Sequence, residues 1–445
     1  MRHLVILSTF GIAAAAAPAP TFYRDVLPIL QKRCQECHRA GEAAPMALMT
    51  YEQARPWAKS IRQAVVSKRM PPWHADPHYG TFSNDRGLTE PELNTLTAWA
   101  DTGAKPGNRK DAPPPRTFPE GWTIGQPDKV LEMPASYTVP AKGTVEYTYF
   151  VVPTGFTEDK WIEKLELRPG AREVVHHIVL YARPPGSKFL KDAPRGVAYV
   201  PPNQPEDNSK PRPAQTDKGE WYGLSANGQE MVGVYVPGNG AYLTRSGQAR
   251  MIKAGSDLIF QMHYTASGKE AADRSKVGVI FARTPPRERV VNIFIANFGL
   301  IIPPGAPEHR VDARVTLQRD AVLQSLFPHM HARGKAFEYT IKLPSGETKK
   351  LLSVPHYDFN WQHTYALKEP LTLPRGTQIT ATAWYDNSAN NKSNPNPKSE
   401  VYWGDQTWEE MLAGFIDFAI PANADPASLR IPAKKPEPAA TASAR

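Results

Sequence analysis

The chain has 445 residues, is 41% hydrophobic and 22% charged, and carries 45 prolines and a formal charge of +9. That length predicts two to four domains, each able to bury a core, and the composition is that of a globular protein. Its Lys and Arg residues are scattered rather than gathered into a basic stripe among aromatics. No nucleic-acid partner is therefore expected, and the surplus charge is read as solubility or steering of an anionic partner.

Residues 1–19 read as a secretory signal, with Arg2 and His3 as the basic start, Leu4 to Ile12 as the apolar core and Ala13 to Ala19 as the small-residue region. A periplasmic or secreted location follows, with no stable membrane span in the mature chain, since no later stretch has eighteen uncharged apolar residues. Residues 20–111 read as helical. Ala54, Trp57, Ile61 and Val65 make one apolar face over Tyr51 to Lys68, and a second helix starts at a Thr89/Glu92 capping box and runs past Leu93, Leu96 and Trp99 to Gly103. Residues 112–124 form a Pro-rich linker.

Beyond it the pattern changes to short alternating strands broken by Gly and Pro. Thr144 to Val152, Val174 to Tyr181, Leu258 to Tyr264, Ala336 to Leu343, Gln378 to Tyr385 and Ala413 to Ala419 are the clearest. They predict two β-sandwiches, 125–285 and 286–432. Pro184 to Lys218 reads as a long surface loop and 433–445 as a disordered tail.

The two cysteines form Cys34-Gln35-Glu36-Cys37-His38, the C-x-x-C-H pattern of covalent haem c attachment. Two thiols add across the haem vinyl groups and the next residue places an imidazole under the iron. No second C-x-x-C completes a zinc site, and a redox disulfide lacks its βαβ surroundings. Met70, in Arg69-Met70-Pro71-Pro72-Trp73, is the favoured sixth ligand; Met46, Met49 and His74 are the alternatives.

The remaining histidines include His176-His177, His263 in Gln261-Met262-His263-Tyr264, and His329-Met330-His331. Alternate residues of a strand face one side, so His329 and His331 can chelate one metal while Met330 points away. Adjacent His176 and His177 face opposite sides of a regular strand, and their joint use needs a bulge, a twist or a strand end. Each motif alone also fits ordinary packing. His74, His78, His309, His356 and His363 are left with such roles.

His-His, then Gln-x-His-Tyr, then His-x-His, then Met411 in Glu-Glu-Met, resembles the copper type II, ascorbate-dependent monooxygenases, which include peptidylglycine α-hydroxylating and dopamine β-monooxygenases. The resemblance covers about residues 125–430 and implies two jelly-roll sandwiches. It implies one copper on His176, His177 and His263 that stores an electron, and a second on His329, His331 and Met411 that binds O2 beside a small-molecule substrate. Ascorbate or a redox protein would be the electron donor. The 20–111 segment likewise resembles cytochrome c domains, by its C-x-x-C-H and later Met-Pro-Pro-Trp. The combined expectation is multidomain: an N-terminal all-α cytochrome c domain followed by two all-β jelly-roll sandwiches, hydroxylating a C–H bond with electrons passing from haem c to two copper ions.

Three departures stand out. The chain has no cysteine to spare for disulfides. The carboxylate-holding Arg and Tyr of the peptide-hydroxylating enzyme fall on Phe327 and Phe415, which cannot hold an anion. A fused haem segment is foreign to the animal enzymes. The alternative function is a non-catalytic periplasmic haem/copper electron-transfer protein.

Overall fold

The computed structural model describes residues 18–42, 44–201, 221–223 and 229–429. The signal sequence up to residue 17, positions 202–218 of the expected surface loop and the tail 433–445 lie outside the described residues. The chain divides into two compact units, one made of Met1–Pro71 with Leu88–Arg116 and the other of Pro72–Gly87 with Thr117–Arg445.

The first unit is built from short helices: Leu27–Arg33, Tyr51–Ala54, Ala58–Val66 and Glu90–Asp101. The capping box forms as the sequence predicts, with the Thr89 hydroxyl accepting from the Glu92 N–H and the Glu92 carboxylate accepting from the Thr89 N–H. The helix expected over 51–68 is interrupted. Pro56 lies in a 3₁₀ turn, Arg55–Trp57, which rotates Trp57 off the apolar face and leaves it 41% exposed. Ala54, Ile61 and Val65 stay buried with Phe22, Leu30, Leu96 and Trp99 in the unit's core.

The expected fold class is corrected here. The described chain is predominantly strand, its α-helices are 4 to 12 residues long, and no all-α cytochrome c domain over 20–111 ahead of two jelly rolls is evident. Part of the reason lies in Pro72–Gly87. This stretch is not helical, with a turn at Pro77–His78 closed by the Tyr79 N–H to Asp76 O, and Trp73 and Phe82 are drawn into the β unit's core. Phe82 bridges Leu367, and Ser83 donates its N–H to Ala366 O.

In the β unit, one ten-stranded sheet runs through both halves of the chain. Its halves join where Gln248 and Ala249 pair in parallel with Glu288 and Arg289. The first half packs on a five-stranded sheet containing Thr148–Pro153, Val175–Arg183, Glu230–Tyr235 and Asp257–Tyr264. The second half, including Glu288–Ala296, Ala413–Pro421 and Ala321–His329, packs on a four-stranded sheet. Side chains alternate between faces. Val291, Ile293, Leu323, Leu326, Ile416 and Phe418 enter the second core, while Phe294, Phe327 and Phe415 point to the opposite face. There they meet the outer face of the five-stranded sheet: Val179, Met231 and Val234 cluster with Phe327, Ala413 and Phe415.

Candidate metal centre

Two strands bring the first three histidines together. His263, near the end of Asp257–Tyr264, pairs with His177 on Val175–Arg183, whereas the next residue, Tyr264, pairs with Val175. His176 is the extra residue of this bulge. The irregularity turns adjacent histidines, which a regular strand would point apart, toward one point.

The His176 Nδ1 lies 3.2 Å from His177 Nδ1 and 3.1 Å from His263 Nδ1, and ligand atoms of all three fall within 4.8 Å of one another. The Nε2 of His263 faces the Thr407 hydroxyl at 3.5 Å. A metal–nitrogen bond of about 2.0–2.1 Å puts the nitrogens of a tetrahedral site about 3.3 Å apart. With one N–H per neutral imidazole, the His176 Nδ1 could serve both neighbours only as a bifurcated donor, and the buried Nε2 atoms of His176 and His177 have no hydrogen-bond partner. Protonation is opposed as well. Burial pushes His176 down to about 4, and burial plus the neighbouring imidazoles hold His177 and His263 well below the ordinary range. A bound cation fits this donor set.

His329 ends its strand and His331 follows it. Between them Met330 is buried in the second core, with its N–H donating to the Tyr357 hydroxyl at 3.0 Å, so it points away as the alternation requires. The His329 Nδ1 meets Gln362 Oε1, and His331 Nδ1 lies 3.1 Å from Glu409 O. Both acceptors require the proton on Nδ1, which leaves each Nε2 with its lone pair free for a metal. The two sets therefore differ in their ligating atom. A metal would meet Nδ1 in the triad and Nε2 in the His-x-His pair. Burial again keeps the pair uncharged, with His329 pushed down to about 4.

Met411 lines the same cavity as His329 and His331. Its position is tied to theirs through Glu410, whose fully buried carboxylate accepts the His331 N–H at 2.8 Å and the Arg333 N–H at 2.6 Å. The Met411 carbonyl accepts from the Tyr385 hydroxyl at 2.9 Å.

The two sets adjoin, with the His177 and His329 ring centroids 6.2 Å apart. Tyr147 bridges them, stacked on His263 at 4.7 Å and 6.2 Å from His331. Phe359 covers them from a loop, stacked on His176 at 5.3 Å and edge-on to His331 at 6.2 Å. Sequence reasoning missed Tyr147, Phe359, Gln362 and the anchoring role of Glu410. Only Glu410 carried a signal, as a member of the Glu-Glu-Met motif.

Cys34, Cys37 and His38 lie in a turn of the first unit, where the His38 N–H donates to Cys34 O at 2.9 Å. Neither cysteine is in a disulfide, and burial pushes the Cys34 thiol up to about 12. The His38 Nδ1 lies 3.1 Å from Met46 O, which as a donor leaves Nε2 for iron. Two thiols outside any disulfide, beside an imidazole of this tautomer, fit covalent haem. Met70 follows the Ala58–Val66 helix, its N–H donating to Ala64 O at 3.1 Å.

One histidine set aside in the sequence is also buried. His363 is 3% exposed, its Nε2 has no hydrogen-bond partner, and burial first, then the charges of Arg86 and His74, push it down to about 3. Unfolding lets it take a proton near its ordinary pKa of about 6.5, so its contribution is present above that pH and lost as pH falls toward 3, by up to about 1.4 kcal/mol per pH unit. His363→Phe is expected to lose less melting temperature than wild type between pH 7 and pH 4.5. Parallel pH slopes for the two chains would contradict this.

No protein-family model matches the chain, and no curated protein matches it. Among solved structures, it aligns with that of the infectious bursal disease virus Gx strain at 11% identity, over 68% of this chain and 74% of that one, with a TM-score of 0.18. It aligns with the major capsid protein P2 of bacteriophage PM2 at 9% identity, over 65% and 96%, with a TM-score of 0.26. At such TM-scores the likeness carries no argument about fold or function, and neither structure speaks for a cytochrome or a monooxygenase. No helix among the described residues is long and apolar enough to cross a membrane.

Proposed function

We propose that this chain is an exported copper-dependent monooxygenase that hydroxylates a C–H bond of a small molecule, drawing its electrons through haem c attached at Cys34 and Cys37. The observation that carries the reading is the pairing of two adjoining donor sets. Three Nδ1 atoms converge at His176, His177 and His263, while His329 and His331, their Nε2 atoms left for a metal, share a cavity with Met411. Imidazole and thioether donors suit copper in both its oxidation states better than they suit zinc or magnesium. Copper bound there supplies one-electron redox chemistry and a site for O2.

The protein's own residues do the rest. Gln362 and Glu409 fix the tautomers of His329 and His331, and Glu410 holds the Met411 segment against the end of the His-x-His strand. Phe359 and Tyr147 cover the imidazoles and keep water from them. Phe327 and Phe415 line the cavity where a substrate would sit. The balance is one O2, two electrons, two protons and R–H giving R–OH and water. His38 and Met70 would hold the haem iron.

The test uses full-length protein matured with haem, reduced anaerobically with ascorbate and mixed with air-saturated buffer. Haem reoxidation is expected to be faster with copper bound than in the copper-free protein. Equal rates would contradict the reading and favour a haem/copper protein without oxygen chemistry.

A further inference from the structure

We propose that the cavity beside His329, His331 and Met411 takes a small uncharged aromatic molecule and rejects anionic ones. What happens to that molecule rests on the monooxygenase reading above; its binding does not.

The cavity has a volume of about 270 Å³, just below the range that holds drug-sized ligands, so its occupant is small. One wall is a cross-strand row. Phe294 pairs with Phe415, and Phe415 pairs with Phe327, on three neighbouring strands. Their ring centroids are 4.8 and 5.6 Å apart. Phe298 and Trp403, 4.5 Å apart, extend the row at the Phe294 end, and Phe327 closes it 6.4 Å from the His329 ring. A flat ring can therefore lie along aromatic faces and edges all the way to the metal-ligating pair, in the offset or edge-on contacts such rings prefer.

Charge decides the class further. Among the described residues no Lys or Arg lines this cavity, while two acids, Glu230 and Asp405, do. A carboxylate or phosphate brought in would lose its water and meet no cation. Glu230 is not left over for a substrate ammonium. The Glu230 carboxylate accepts the Asn292 N–H at 3.1 Å and sits 3.7 Å from the Arg250 guanidinium, and Asp405 has a partner of its own. The next cross-strand row is polar but self-satisfied, since Asp417 accepts from Asn292 at 2.8 Å and from Ser325 at 3.0 Å. An uncharged ring is what remains.

The experiment is calorimetric titration of the full chain, copper-free and copper-loaded, with indole and with indole-3-acetate, which share a ring and differ in charge. Indole is expected to bind both forms. Indole-3-acetate is expected to bind at least tenfold more weakly, a difference of about 1.4 kcal/mol. Trp403→Leu keeps the wall apolar but removes a ring and is expected to weaken indole binding several-fold. Phe298→Leu provides the same comparison should Trp403→Leu fail to fold. Absence of indole binding to both forms, or equal affinity for the anion, would overturn the proposal. Indole binding in a chain that takes up no copper would leave this assignment standing and remove the monooxygenase reading; copper uptake without indole binding would do the reverse.

Discussion

Glu410→Ala is expected to destabilise the β unit by about 2–6 kcal/mol and to weaken copper binding at the His329, His331 and Met411 set. The carboxylate is fully buried and accepts two backbone N–H groups, from His331 and Arg333, that have no route to water. Leaving each of them unpaired costs about 1–3 kcal/mol. Burial pushes Glu410 up to about 7, and the N–H groups and the Arg333 guanidinium oppose that rise without cancelling it. Either protonation state keeps an acceptor oxygen. Glu410→Gln, which keeps one carbonyl oxygen, is therefore expected to lose about half as much. Denaturant unfolding of the copper-free chain measures the first effect and copper titration the second. Wild-type stability in Glu410→Ala would show that the N–H groups find other partners and that Met411 is placed by something else.

Much of the candidate site was legible in the sequence because its candidate donors come in short motifs. Strand alternation predicted that Met330 would point away from His329 and His331, and Met330 is buried in the second core. His176 and His177 required a bulge, and the bulge lies there, although only the offset pairing of Tyr264 with Val175 reveals it. The strand expected over 378–385 forms with those bounds, and the one expected from Ala413 runs two residues further, to Pro421.

What stayed hidden is long-range. Phe359 and Gln362 sit in a loop whose sequence carries no periodicity, and Tyr147 lies 29 to 30 residues before the His pair it packs against. Their roles exist only through packing. The all-α expectation failed for a related reason. Helical periodicity in 51–68 and 89–103 said nothing of the stretch between them, where Trp73 and Phe82 find more apolar surface in the β core. Two sandwiches read from strand spacing gave no hint that one sheet would pass through both halves, since two paired residues on each strand suffice to join them.

Five histidines and one methionine are proposed to form two metal sites and not one. Copper analysis of the full-length, haem-matured chain, combined with X-ray absorption at the copper edge in the reduced state, tests it most directly. The account predicts two coppers in wild type, one in His263→Ala and one in His331→Ala. A sulfur neighbour should be present in wild type and in His263→Ala, and absent in Met411→Leu. A single copper in wild type, or a sulfur signal that survives in Met411→Leu, would contradict it.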